Sequence, residues 1–107
     1  NLSQGQSTTR ISVEVGVAYG SDVNIVSDIL FYAMQVQTQV VQSPKPRVIF
    51  KSFGDSSLDF EVRGWVKSPW DRKLIESDVR FKIDAAFRES NITIPFPQRD
   101  VHVHTNL

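Results

Sequence analysis

In the stretch Arg47-Val48-Ile49-Phe50-Lys51-Ser52-Phe53-Gly54-Asp55-Ser56-Ser57-Leu58-Asp59-Phe60-Glu61-Val62-Arg63-Gly64-Trp65-Val66, two strand-like runs flank a turn cluster. Its second half puts Leu58, Phe60, Val62 and Val66 on one side and Asp59, Glu61, Arg63 and Trp65 on the other, the period of two that belongs to a strand. Its first half, Arg47 to Phe53, reads as a strand with Val48 and Phe50 in phase. Between them, Gly54-Asp55-Ser56-Ser57 is a turn cluster whose Gly and Asp tolerate the backbone angles of a hairpin. The two-sided pattern predicts a sheet with one face covered and the other partly wet.

Upstream, Arg10 to Ala18 alternates again, with Ile11, Val13, Val15 and Val17 against Ser12, Glu14 and Gly16, and predicts a first strand. After Tyr19-Gly20, Ser21-Asp22 can cap a helix, because their side-chain oxygens accept from the unpaired amides of a first turn. Val23, Val26, Leu30, Ala33 and Val40 then recur at helical spacing. The end of this helix is two-valued: Gln35 to Val41 also alternates like a strand and is rich in β-branched residues. Pro44 and Pro46 stop either structure.

Downstream, Ser68-Pro69-Trp70-Asp71 opens a second helix that runs to about Ser90-Asn91. Ile75, Val79, Ile83, Ala86 and Phe87 form its core stripe, while Leu74, Phe81 and Ala85 form a second, narrower stripe about 150° away. Arg72, Glu76, Arg80, Asp84 and Arg88 make a ladder of opposite charges on a solvated face. Ile92-Thr93-Ile94 allows a short strand closed by Pro95 and Pro97, and Gln98 to His104 alternates once more, with Val101 and Val103 opposite Asp100, His102 and His104.

The order β-α-β-β-α-β predicts an α+β, ferredoxin-like split βαβ sandwich, two helices on one face of a mixed sheet, with a further C-terminal strand. At 107 residues this is one core. Twelve basic against twelve acidic residues leave no field for a nucleic-acid backbone, and the absence of Cys removes disulfides and thiol chemistry. No run approaches the roughly 18 apolar residues of a membrane helix, so this stretch is expected to be soluble. Its polar start at Asn1, without Met, is what a cut inside a longer chain leaves, as a processed terminus or a removed tag also would.

Few residues point to chemistry. His102-x-His104 places two imidazoles on one strand face with Asp100 in line, a candidate for zinc only if a third ligand arrives from elsewhere, and a solvated pair otherwise. Ser nucleophiles lack a nearby His, and no G-x-S-x-G surrounds any Ser. Gly16 and Gly20 lack the spacing and the Lys of a phosphate loop, which leaves backbone geometry as their reading. Glu14, Asp59 and Glu61 could share a sheet face as paired carboxylates, but Arg63 beside them reads as charge balance. Trp65 is a lone ring on that face, too few for RNA stacking. The remaining features are Leu74 and Phe81 opposite a core stripe, Trp65, and Val101 and Val103 on a strand detached by prolines; all ask for a partner. The residues point to an assembly or binding module rather than an enzyme, with no cofactor.

Three motifs carry a resemblance. Gly16-Val17-Ala18-Tyr19-Gly20-Ser21-Asp22, Gly54-Asp55-Ser56-Ser57-Leu58 and Pro95-Phe96-Pro97-Gln98 are similar, in order and spacing, to the C-terminal cytoplasmic region of the small-conductance mechanosensitive channel (MscS) family. The resemblance covers about Arg10 to His104, and Asn1-Leu2-Ser3 resembles the end of that family's preceding β domain, where Trp often stands in place of Leu2. It divides the chain into 1–9, the end of that β domain and linker; 10–97, an α/β cytoplasmic domain; and 98–107, a C-terminal strand and tail.

The resemblance implies a fragment of a homo-heptameric channel on the cytoplasmic side of the bacterial inner membrane, its pore in a preceding region. In that family the soluble regions form a cage with side portals, through which ions and small solutes pass when tension opens the pore and relieves osmotic down-shock. It also implies that the last strand joins its six equivalents in a small barrel, and that Gly16, Tyr19, Asp22, Gly54, Ser57, Pro95, Pro97 and Gln98 are structural. The alternative left open by the residues is a stand-alone ferredoxin-like module that binds a small molecule or a protein.

Overall fold

The computed structural model describes residues 7–97. Three strands, β1 (Thr9–Val17), β2 (Arg47–Phe53) and β3 (Leu58–Val66), alternate with two helices, α1 (Val23–Gln35) and α2 (Arg72–Glu89). The sheet order is β1-β3-β2, and both pairings are antiparallel. In register, Val13 faces Val62 and Val17 faces Leu58 across β1 and β3, while Val48 faces Val62 and Phe50 faces Phe60 across β2 and β3. The predicted apolar sides of all three strands therefore meet on one face. α1 lies over β3 and β2, α2 lies over β1, and the helices touch each other. Val26, Leu30, Ala33 and Met34 from α1, with Ile75, Val79, Ile83 and Phe87 from α2, close the core against Ile11, Val13, Phe60, Val62 and Val66.

The structure corrects the sequence reading in three places. Among the described residues the sheet is antiparallel rather than mixed: the α1 crossover returns β2 parallel to β1, but β3 inserts between them, so no two parallel strands are neighbours there. The first helix stops at Gln35 instead of reaching Val40. Val40 instead pairs with Val66 as an isolated bridge, and the Val41 amide donates to the Trp65 carbonyl at 2.8 Å, so the strand-like period wins at the end of that segment. The predicted strand at Ile92-Thr93-Ile94 does not form among the described residues. One backbone bond, from the Ala18 amide to the Thr93 carbonyl at 2.8 Å, ties this segment to the end of β1. Pro95 and Pro97 have no amide hydrogen with which to continue a ladder. The strand predicted for Gln98 to His104 lies outside the described residues.

α2 begins through a single 3-10 turn, Pro69–Asp71, and ends in a complete Schellman motif. Asn91 adopts φ 57°, the Ile92 amide donates to the Phe87 carbonyl at 2.9 Å, and the Asn91 amide donates to the Arg88 carbonyl at 3.4 Å. Ile92 packs against the core that holds Phe87, the apolar contact this cap favours. Asn91→Ala should lower stability by about 1 kcal/mol, because a Cβ without the Asn amide resists the left-handed region, whereas Asn91→Gly should be neutral or stabilising. Urea melts of the two variants check the pair. Of the predicted charge ladder, the Asp84–Arg88 rung closes, at 2.8 Å.

Candidate functional site

Four of the family-like motif residues, Gly16, Tyr19, Gly54 and Ser57, gather around one carboxylate, Asp59. Its Oδ1 accepts from the Ser57 hydroxyl at 2.6 Å and its Oδ2 from the Ser52 hydroxyl at 3.3 Å. The Gly54 amide donates to the Ser57 carbonyl at 2.7 Å, and the Tyr19 hydroxyl donates to the Gly54 carbonyl. Gly16 stands directly opposite Asp59 in the ladder. A Cβ on Gly16 would lie 2.8 Å from Ser57 Oγ, and one on Gly54 would lie 2.6 Å from Asp59 Oδ2 and 2.9 Å from the Ser57 carbonyl. Both glycines are needed so that backbone can approach this knot.

Beside the knot, Asp22 caps α1, accepting from the Asn24 amide at 2.9 Å and the Ile25 amide at 3.3 Å. Gly20, at φ 95°, makes the bend between β1 and that cap. Motif residues far apart in sequence thus pin the hairpin turn to the β1–α1 junction. Asp59 was read in the sequence only as a possible paired carboxylate. The clue to its role was four hydroxyl or glycine neighbours, Ser52, Gly54, Ser56 and Ser57, within one turn of it. Among the described residues, the side chains that donate to Asp59 are the hydroxyls of Ser52 and Ser57.

The open sheet face holds a buried charge. Glu61 is 7% exposed, with the Arg63 Nε 3.2 Å from its Oε2 and Nη2 3.5 Å from Oε1. Lys51 of β2 reaches across β3 to Glu14 of β1, Nζ to Oε2 3.1 Å. This arrangement answers an unfavourable register, since Glu14 and Glu61 sit directly opposite each other. The hydrogen bond from Arg63, aided by the positive charges of Arg63 and Lys51 and by the Ser12 hydroxyl, holds the Glu61 carboxyl below its ordinary 4.5 against the opposing effect of burial. A depressed carboxylate stabilises the fold above its unfolded pKa, and that contribution is lost as pH falls through the folded value. Stability should therefore be lower at a pH below the ordinary carboxylate range than at neutral pH. In Glu61→Gln the drop should be smaller, as chemical denaturation at the two pH values would show.

The apolar candidates divide. Leu74 and Phe81 stand two turns apart on one face of α2, 68% and 74% exposed, on the side turned away from Ile75, Val79 and Ile83. Trp70, 90% exposed, lies just before that helix and was not anticipated. Trp65 is separate from them: it is half-buried on the open sheet face, opposite Arg10. Phe53 is also exposed; its ring lies 5.1 Å from Phe50, which stacks on the buried Phe60 at 4.5 Å. Pro95 is half-buried and Pro97 exposed. Gln98, Val101, His102, Val103 and His104 lie outside the described residues, among which no cluster of three or more His, Cys, Asp or Glu side chains is placed to hold a metal.

Residues 11–94, from the second residue of β1 through the segment after α2, match the family described as mechanosensitive ion channel MscS, C-terminal. The chain belongs to the MscS family. A mechanosensitive channel MscK of Escherichia coli is 39% identical over 104 residues, covering 97% of this chain and 9% of that protein. An uncharacterised MscS-family protein of Haemophilus influenzae is 38% identical over 106 residues, covering 99% of this chain and 10% of the relative. A small-conductance mechanosensitive channel of Edwardsiella ictaluri is 34% identical over 95 residues, covering 89% and 33%. The crystal structure of Helicobacter pylori MscS in its closed state superposes with a TM-score of 0.79 at 26% identity, over 97% of this chain and 41% of that one. This MscS-family domain thus spans about a tenth of the first two relatives. Among its described residues no helix is long and apolar enough to cross a membrane.

Proposed function

We propose that this MscS-family domain is a wall element of the cytoplasmic cage beneath a tension-gated channel, with a role in assembly and solute filtering and none in catalysis. In this reading seven copies surround the ion path on the cytoplasmic side of the bacterial inner membrane. Ions and small solutes cross the cage when membrane tension opens the pore during osmotic down-shock. The antiparallel order β1-β3-β2 supports a ferredoxin-like reading of the sheet; the strand expected to form a basal barrel, Gln98 to His104, lies outside the described residues. The observation that carries the reading is the family match over residues 11–94. The exposed pair Leu74 and Phe81, backed by a core stripe on the same helix, supports self-assembly, since apolar surface of this kind is stabilised when it is removed from water.

The reading frame upstream of Asn1 tests it. Apolar segments of about 20 residues followed by a small β-rich region are expected. A start codon within a few residues of Asn1 would remove the pore and leave a stand-alone binding module.

A further inference from the structure

The strand register sorts charge along the open face of the sheet. Toward the hairpin lie Glu14, Lys51 and Asp59; toward the other end Arg10 stands opposite Trp65, and Arg47 stands opposite Arg63. Every carboxylate on the face already has a partner: Glu14 has Lys51, Glu61 has Arg63, and Asp59 has the hydroxyls of Ser52 and Ser57. Arg63 is turned along its own strand toward Glu61. Arg10 and Arg47 are left over. Both are exposed, and among the described residues neither has a carboxylate within ion-pair distance.

Arg10 and Arg47 stand on β1 and β2 with β3 between them, Arg10 opposite the half-buried indole of Trp65 and Arg47 opposite Arg63 two residues along, about 12 Å apart at Cα by strand spacing. Like charges at Arg47 and Arg63 face each other in the ladder, an arrangement relieved when an anion lies over it. The planar guanidinium fork matches a carboxylate, and a ring beside it offers apolar contact. The place is a sheet surface rather than an enclosed cleft, which suits an extended chain better than a small solute.

We propose that this end of the sheet docks an acidic polypeptide segment, its carboxylates on Arg10 and Arg47 and its intervening residues over Trp65. The inference stands on the charge sorting of the sheet and does not depend on the channel reading.

Poly-L-glutamate is the probe. In a Trp70→Phe background Trp65 is the sole tryptophan, and its emission should change saturably as poly-L-glutamate is added, with binding weakening as salt rises. Arg10→Glu combined with Arg47→Glu should weaken binding by about tenfold or more while leaving the circular dichroism and melting of the chain unchanged. An emission that does not respond, or a double variant that binds as tightly as its parent, would overturn the proposal. So would an equal response to monomeric glutamate at the same carboxylate concentration, which would assign the surface to small anions instead.

Discussion

On the proposed cage reading, Phe81→Asp introduced into the full-length protein is expected to abolish assembly while leaving this domain folded. Phe81 is 74% exposed and lies opposite the stripe that seals α2 to the sheet, so the domain itself loses little when the ring is replaced. Exposed substitutions of this kind shift domain stability by about 0.5 kcal/mol or less. At a subunit interface the same change buries an unpaired carboxylate and removes a large aromatic anchor, a loss on the order of 2–4 kcal/mol at each repeated contact. The loss recurs at every subunit boundary of a ring, so assembly should fail cooperatively. Cross-linking of the membrane-extracted channel and melting of the isolated chain separate the two effects. Equal loss in both measurements would place Phe81 in the domain's own core.

Gly64→Ala should destabilise the domain by about 2 kcal/mol, because the added methyl overpacks the contact between β3 and α1. A Cβ there would lie 2.6 Å from Met34 Sδ and 2.8 Å from Met34 Cγ, and Met34 is fully buried, with little room to withdraw. Gly64 is therefore a position at which α1 presses close on the sheet. Met34→Ala opens the same space and carries its own cavity cost. In the double variant the two changes should be strongly non-additive, the second methyl filling space the first substitution vacates. Simple additivity of the two losses in urea melts would mean that the methyl is accommodated elsewhere.

Legibility in the sequence followed periodicity. Leu58 to Val66 carried a two-sided pattern with few competing readings, and the strand bounds, buried face and hairpin partner all emerged from it as read. Val36 to Val41 fitted two periods at once, and only the contact of Val40 with Val66, a neighbour distant in sequence, selects between them. The position of β3 between β1 and β2 was hidden for a related reason: alternation says that a strand is half-buried, not which strand lies beside it.

The motif cluster shows the same divide. Gly16, Tyr19, Gly54 and Ser57 were named from resemblance, yet the carboxylate they surround was not, because the knot forms from β1, the β1–α1 junction and the hairpin together. Glu61 read as a wet residue and is buried, since what covers it comes from three strands: Arg63 along its own, and the Glu14–Lys51 pair reaching over from the other two. Leu74 and Phe81, by contrast, were legible as a second stripe because helical geometry alone places them opposite the core.

Recording from membrane patches that contain the full-length protein, in cells lacking their own mechanosensitive channels, shows whether this domain walls the cage of a tension-gated channel. Suction applied to the patch should evoke reproducible currents that vanish in the Phe81→Asp channel. Patches in which the intact protein is present in the membrane and suction evokes no current would contradict the account.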